Sequence, residues 1–128
     1  MGRISSYITV TNPSDPEKSQ TFAALVDTGA SHLTLPSAWK SKFGKLISLG
    51  SIDVELANQG EINGEICGPI QVQIEGFRPV FTEVLFIDME PVNNRYEPLI
   101  GYLVLEAIPA AVDMLGHRLV KVKSLDLK

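Results

Sequence analysis

The chain has 128 residues, a formal net charge of −4 and a hydrophobic fraction of 45%. These values predict one globular domain over residues 1–128. The sequence has no basic tract and no apolar run long enough to span a membrane, so we expect neither nucleic-acid nor membrane partners. Cys67 is the single cysteine and residues 1–6 lack the apolar stretch of a secretory signal, so we expect a cytoplasmic protein without disulfides.

The first predicted elements are two strands joined by a turn. Residues 7–11 alternate and are rich in β-branched side chains, and residues 12–18 are polar and marked by prolines. The apolar residues 21–26 predict an antiparallel partner strand, which leads directly into Asp27, Thr28 and Gly29. A carboxylate at the end of an apolar strand is costly unless it is solvated, paired or protonated. Glycine has no Cβ, so another backbone can approach closely there.

The middle of the chain predicts one short helix and several strands. The helix covers residues 36–43 and ends at Gly44. Residues 51–56 and 61–66 alternate apolar and polar side chains around a glycine-containing turn, which predicts a β-hairpin with a flexible tip. Separate strands are predicted over residues 32–35, 70–74 and 79–87.

The last third of the chain predicts a loop, a short helix and a second hairpin. Residues 88–98 predict a polar loop that contains Pro91, Asn93 and Asn94 and ends at Pro98. The segment Leu99-Ile100-Gly101 then leads into a predicted helix over residues 102–108. Asp113 precedes the second hairpin, where an Asx turn explains its presence. About seven or eight short strands with two helical turns predict an all-β domain.

Three of these segments, taken together, resemble the retropepsin-like (retroviral-type, clan AA) aspartic proteases. They are the turn Ala24-Leu25-Val26-Asp27-Thr28-Gly29-Ala30-Ser31, the hairpin over residues 52–66, and Leu99-Ile100-Gly101 followed by a helix. The resemblance implies an acid-protease fold: a closed, barrel-like single lobe with a flap hairpin and one or two short helices. Because Met1 begins the domain directly, the chain resembles the stand-alone prokaryotic type more than a segment of a polyprotein.

The resemblance also implies a role for each matching residue. Asp27 is the catalytic residue of an aspartic endopeptidase, without a metal or another cofactor. The remaining residues support the turn (Thr28, Gly29, Ala30), form the substrate-binding flap (Leu56, Ala57, Asn58, Gln59, Gly60) or lie behind the turn (Leu99, Ile100, Gly101).

Only one Asp-Thr-Gly turn is present, in about half the length of a pepsin-type chain. The mechanism implied by the resemblance needs two carboxylates around one water molecule, so we expect a homodimer that pairs two Asp27 side chains and cleaves a peptide or protein substrate. We expect the two carboxylates to share a proton.

Less specific interpretations stay open at this point. Asp27 also fits a strand-end acid without chemistry, in which case the chain is a non-catalytic, dimeric retropepsin-fold module that binds extended peptides by strand addition. His32 and His117 lack partners at metal-ligand spacing in the sequence. Cys67 fits a small buried apolar residue.

Overall fold

The computed structural model describes residues 3–56 and 60–122. Three of the predicted flap residues, Ala57, Asn58 and Gln59, lie outside these ranges. Nine strands are present in the described part of the chain, and they confirm the all-β prediction. They are β1 (Ser5–Asn12), β2 (Asp15–Val26), β3 (Leu33–Pro36), β4 (Ile47–Leu56), β5 (Gly60–Ile74), β6 (Val80–Ile87), β7 (Leu99–Ile100), β8 (Ala110–Asp113) and β9 (Arg118–Lys121).

Seven of the strands form one sheet that closes on itself. Its order is β1-β2-β7-β3-β6-β5-β4, and an additional antiparallel pairing joins β1 to β5 from Ile8↔Ile74 to Thr11↔Gln71. This pairing makes the sheet a ring around the core, which is the barrel-like single lobe expected from the sequence. Strands β8 and β9 form a separate two-stranded sheet.

Two helices accompany the sheet in the described part of the chain. A 3₁₀ helix covers Ser37–Phe43, and Gly44 ends it with φ 69°, as the glycine at this position predicts. The α-helix α1 covers Tyr102–Ala107 and follows β7 after one residue. No helix among residues 3–56 and 60–122 combines the length and apolar character needed to cross a membrane.

The β1–β2 hairpin is tighter than the sequence predicts. Residues 12–18 were expected to form a turn, but β2 begins at Asp15, which pairs with Asn12. The Asn12 side chain explains the tight connection, because its Oδ1 accepts a hydrogen bond from the Ser14 N–H at 2.9 Å. Its Nδ2 donates to the Phe43 carbonyl at 2.8 Å and so satisfies a buried amide.

The prediction of two separate strands over residues 61–66 and 70–74 was wrong. Both belong to β5, which runs without a break through Cys67, Gly68 and Pro69. The register with β6 shifts between Cys67 and Ile70. Such an irregularity tolerates a proline, which cannot donate a ladder hydrogen bond.

Apolar side chains from the ring and from α1 fill the core. Ile8 and Val10 of β1 contribute, as do side chains of β3, β5 and β6, and Ile100 and Val104 cover one end. The described β4 residues, by contrast, contribute no buried side chain. The core therefore lies under β7 and α1, and the β4 side of the β4–β5 hairpin extends away from it.

Candidate active site

Asp27 lies directly after β2 in a turn that its own side chain closes. Oδ1 of Asp27 accepts a hydrogen bond from the Gly29 N–H at 2.9 Å, and the Asp27 carbonyl accepts one from the Ala30 N–H at 3.1 Å. A Cβ atom at Gly29 would lie 3.2 Å from the same Oδ1, so glycine gives the carboxylate room in this orientation. Asp27 is partly buried, whereas Thr28 and Gly29 are exposed. The carboxylate is thus both oriented and accessible.

Strand β7 fixes this turn from behind. It pairs in parallel with β2, with Leu25 opposite Leu99 and Val26 opposite Ile100. The Asp27 N–H continues this pairing by donating to the Ile100 carbonyl at 3.0 Å. The start of α1 holds the far side of the turn.

Gly101 connects β7 to α1 where no side chain fits. A Cβ atom there would lie 2.5 Å from both the His32 carbonyl oxygen and the Ser31 carbonyl carbon. The next two N–H groups, of Tyr102 and Leu103, donate to the carbonyls of Ala30 and Ser31 at 2.9 and 3.0 Å. These bonds join the start of α1 to the two residues that follow Ala30 in the turn and its exit.

A cavity of about 310 Å³ opens beside Asp27, between the turn and β4. Apolar, acidic and hydroxyl-bearing residues all contribute to its lining. Its lining comes from the turn (Asp27, Gly29, Ala30, Ser31, His32), from β4 (Ile52, Asp53, Val54, Glu55) and from the sheet (Thr34, Leu85, Leu99).

A second cavity, of about 360 Å³, lies on the other side of the same turn. Its lining includes Asp27 and Thr28 together with Ile4, Val112 and Met114. Asp27 therefore stands between two open spaces, one under β4 and one beside the β8–β9 hairpin. A larger cavity, of about 640 Å³, lies around Trp39 and Tyr96, but its lining does not include Asp27.

The predicted flap residues are only partly described. Leu56 ends β4 and pairs with Gly60, the first residue of β5, and Gly60 has φ 71° with open space around it. The β4 residues given for the lining of the cavity beside Asp27 are further from the hairpin tip. The sequence thus predicted the hairpin but did not single out the part of it that lies next to the carboxylate.

A chain of hydrogen bonds that begins at two residues of the cavity lining, Ser31 and His32, was not predicted. Ser31 Oγ lies 2.8 Å from His32 Nδ1, and His32 Nε2 lies 3.0 Å from Glu83 Oε1. The parallel pairing of β3 with β6, which sets Leu33 opposite Val84, brings these residues together across 51 positions of sequence. Nothing local in the sequence indicates such a contact.

The described residues support neither a cysteine nucleophile nor a metal site. Cys67 is fully buried, and burial raises the pKa of its thiol, so it is not activated as a nucleophile. In the parts of the chain that the structure describes, no three histidine, cysteine, aspartate or glutamate side chains are grouped so as to hold a metal ion.

Comparisons with known proteins identify the fold. No protein-family model matches the sequence, and no curated protein matches it significantly. Among solved structures, the protease of EIAV, complexed with the inhibitor HBY-793, is similar with a TM-score of 0.59 and 17% sequence identity. The similarity covers 82% of this chain and 86% of that one. At this identity the likeness is one of fold, and the chain has the retropepsin-like fold of a single protease lobe.

Proposed function

We propose that this chain is an aspartic endopeptidase that acts as a homodimer, with one Asp27 from each protomer. The observation that carries the proposal is the Asp27 carboxylate itself. It is accessible in a cavity, oriented by the Gly29 N–H at 2.9 Å, and held in a retropepsin-like fold by backbone bonds to β7. A strand-end acid with a purely structural role would not need this cavity beside it.

Hydrolysis then follows from two such carboxylates in contact. They share one proton, because two carboxylates at this separation cannot both be ionised cheaply. The ionised Asp27 takes a proton from a water molecule, which attacks the carbonyl carbon of the peptide bond. The protonated Asp27 of the partner donates its proton to the carbonyl oxygen, which gives a tetrahedral intermediate. The C–N bond of this intermediate breaks as its nitrogen takes the proton that the first Asp27 removed from water, and no covalent intermediate with the protein forms.

The second cavity is where we place the partner protomer. It adjoins Asp27 and Thr28, and the β8–β9 hairpin beside it exposes large apolar side chains. Met114 is 51% exposed and Leu115 is 98% exposed. A two-fold axis next to Thr28 would bury these side chains and bring the two turns together. Residues of the turn other than Asp27 then support the dimer: Thr28 faces the partner, and Gly29 and Ala30 leave space for the substrate backbone.

The experiment that tests this function is cleavage of a peptide library by the wild-type protein and by Asp27→Asn. Asparagine keeps the shape of the side chain and accepts the Gly29 hydrogen bond, but it cannot supply the shared proton. We expect loss of turnover with an unchanged fold and dimer mass. Equal cleavage by both proteins would rule out the proposal. Peptide binding without Asp27-dependent cleavage would favour the non-catalytic binding module.

A further inference from the structure

Strand β4 has one edge that no described strand pairs with. It lies at the end of the sheet order, and its partner along Ile47–Leu56 is β5 on the other side. At about 3.4 Å per residue, the free edge presents backbone N–H and C=O groups over roughly 30 Å. We call it the outer edge of β4. A long, unpaired edge of this kind is a template for one more strand.

The side chains along the outer edge alternate between two faces of the hairpin. Ile52 and Val54 are partly buried and line the cavity beside Asp27. Asp53 and Glu55, which alternate with them, are exposed on the opposite face. An added strand therefore places every second side chain beside the aliphatic pair and the others beside the carboxylates.

The exposed face carries two carboxylates that repel each other. Glu55 lies directly opposite Glu61 in the β4–β5 ladder, and both residues are exposed. Like charges in directly opposite positions destabilise a strand pair. No ion pair within residues 3–56 and 60–122 includes either carboxylate. Asp53 is next to them, and its hydrogen bond from Asn63 Nδ2, at 3.2 Å, brings no positive charge.

The sequence of the hairpin contains no cation that could relieve this repulsion. Residues 46–77 include five acidic side chains and neither lysine nor arginine. Lys40 and Lys45 precede β4, and Lys40 already pairs with Glu65 at the hairpin base. A positive charge beside Glu55 and Glu61 would therefore stabilise the hairpin if another molecule supplied it.

These charges also select which strand can use the open edge. A second copy of β4 would bring Asp53 and Glu55 close to the same carboxylates of its partner. A neutral strand would leave the repulsion between Glu55 and Glu61 in place. Charged side chains on an edge keep such strands from pairing with it. A strand with positively charged side chains on this face gains attraction instead.

We infer that the outer edge of β4 is a docking site for an extended segment of a partner protein, in which lysine or arginine alternates with aliphatic residues. The segment pairs with β4 through its backbone, which provides affinity, and its side chains provide specificity. Its basic side chains lie beside Asp53, Glu55 and Glu61, and its aliphatic ones continue the face of Ile52 and Val54. The site is separate from the proposed cleft and does not depend on peptidase activity.

The test measures binding of a blocked peptide, acetyl-Lys-Val-Lys-Val-Lys-Val-Lys-Val-amide, by calorimetry. Asp27→Asn is the host protein, so that the peptide is not cleaved if the proposed activity exists. We expect the lysine peptide to bind and the matching glutamate–valine peptide not to bind. The affinity for the lysine peptide should fall as salt is added, because the carboxylates are exposed.

Methylated peptides separate strand pairing from attraction between charges alone. An added strand uses the N–H groups of alternate residues, and the other N–H groups point to solvent. One peptide carries N-methyl groups on every lysine and another carries them on every valine. We expect one of the two to lose binding and the other to keep it. Equal binding by both methylated peptides would overturn the inference.

Glu61→Gln, made in the same host, provides two readouts of opposite sign. It should weaken peptide binding by about fivefold, the upper range for one exposed charge contact. In the free protein it should slow hydrogen exchange in residues 51–55, because the repulsion from Glu55 is removed. Glu75→Gln is the matched control: it removes one exposed carboxylate in the turn after β5 and should change neither readout.

Three results would contradict the docking site. Unchanged affinity in Glu61→Gln would show that this carboxylate does not contact the peptide. Displacement of the peptide by a peptide-mimicking inhibitor would place it in the cleft. A protein assembly larger than a dimer that the peptide dissociates would assign the outer edge to a second copy of the chain. The binding measurements keep their meaning if cleavage tests show the peptidase proposal to be wrong, since they do not use turnover.

Discussion

The turn that carries Asp27 and the β4–β5 hairpin above it are built in opposite ways. Backbone hydrogen bonds to Ile100 and from Tyr102 hold the turn, and its neighbour Gly101 has no space for even a methyl group. The outer hairpin, by contrast, pairs only with itself in the described residues: 52–56 match 60–64, and the described pairing of β5 with β6 begins at Glu65. The side chains of its β4 residues 51–55 are exposed or only partly buried.

This difference separates a fixed reactive group from a cover that can move. A carboxylate that must lie within hydrogen-bond distance of its partner is positioned more precisely when backbone contacts keep its turn from moving. A hairpin that must admit and release a peptide gains from having few buried contacts, because such segments open at low free-energy cost. The cavity that includes both Asp27 and Val54 lies where the two regions meet.

The largest expected effect is on the free energy of unfolding, when one methyl group is added to the turn region in one variant and to the hairpin in another. In Gly101→Ala the new Cβ meets backbone atoms of Ser31 and His32 at 2.5–2.6 Å, and backbone can yield only by moving the turn. We expect a loss of about 3 kcal/mol in the free energy of unfolding, the upper range for overpacking.

In Gly60→Ala the methyl group meets no atom of the described residues within 4 Å, and φ 71° opposes it at about 1–2 kcal/mol. Urea unfolding of both variants at one protein concentration makes the comparison. Equal losses would show that the turn is no more constrained than the hairpin.

A smaller effect is expected in hydrogen exchange. The N–H groups of Val26 and Asp27 should exchange slowly, because they donate to Ile4 and Ile100 within the body of the fold. The N–H groups of residues 51–55 should exchange faster, and a peptide-mimicking inhibitor should slow them by covering the cavity. Mass-spectrometric exchange with and without inhibitor measures this. If saturating inhibitor slows exchange in the turn but leaves the exchange rates of residues 51–55 unchanged, the hairpin does not cover the bound peptide.

The smallest expected effect concerns the base of the hairpin, where Lys40 of the 3₁₀ helix pairs with Glu65 of β5. The hydrogen bond from Lys40, helped by the Ser48 hydroxyl, lowers the pKa of Glu65. The same bond raises the pKa of Lys40. The stabilisation of the folded state by Glu65 is therefore fully present above the ordinary glutamate pKa of about 4.3, and it is lost as the pH falls through the lowered pKa. The stabilisation of the folded state by Lys40 is fully present below the ordinary lysine pKa of about 10.4, and it is lost as the pH rises through the raised pKa.

Glu65→Gln should accordingly speed exchange in the hairpin slightly at neutral pH and have less effect in strong acid. Lys40→Gln is the matched control, and the double variant should equal either single one if the pair acts as a unit. A difference from wild type that does not change with pH would assign the effect to packing rather than to the ion pair.

The sequence predicted those parts of the molecule that depend on neighbouring residues. The apolar strand that ends in Asp27, the hairpin at residues 52–66 and the Gly44 helix end each follow from local patterns, and the resemblance added the segment at Gly101. The continuous β5 was missed because Gly68-Pro69 is a local signal for a break, which the register shift with β6 overrides. The His32–Glu83 contact was missed because it depends on which strands become neighbours in the ring.

The central claim, that one site needs an Asp27 from each of two protomers, is tested most directly by mixing subunits. Wild-type protein and Asp27→Asn are dissociated, mixed in known proportions and reassociated, and peptide turnover is measured at constant total protein. If a mixed dimer is inactive, turnover follows the square of the wild-type fraction, about one quarter at an equal mixture. Turnover of about one half at that mixture would show that each chain acts with its own Asp27 and would contradict the account.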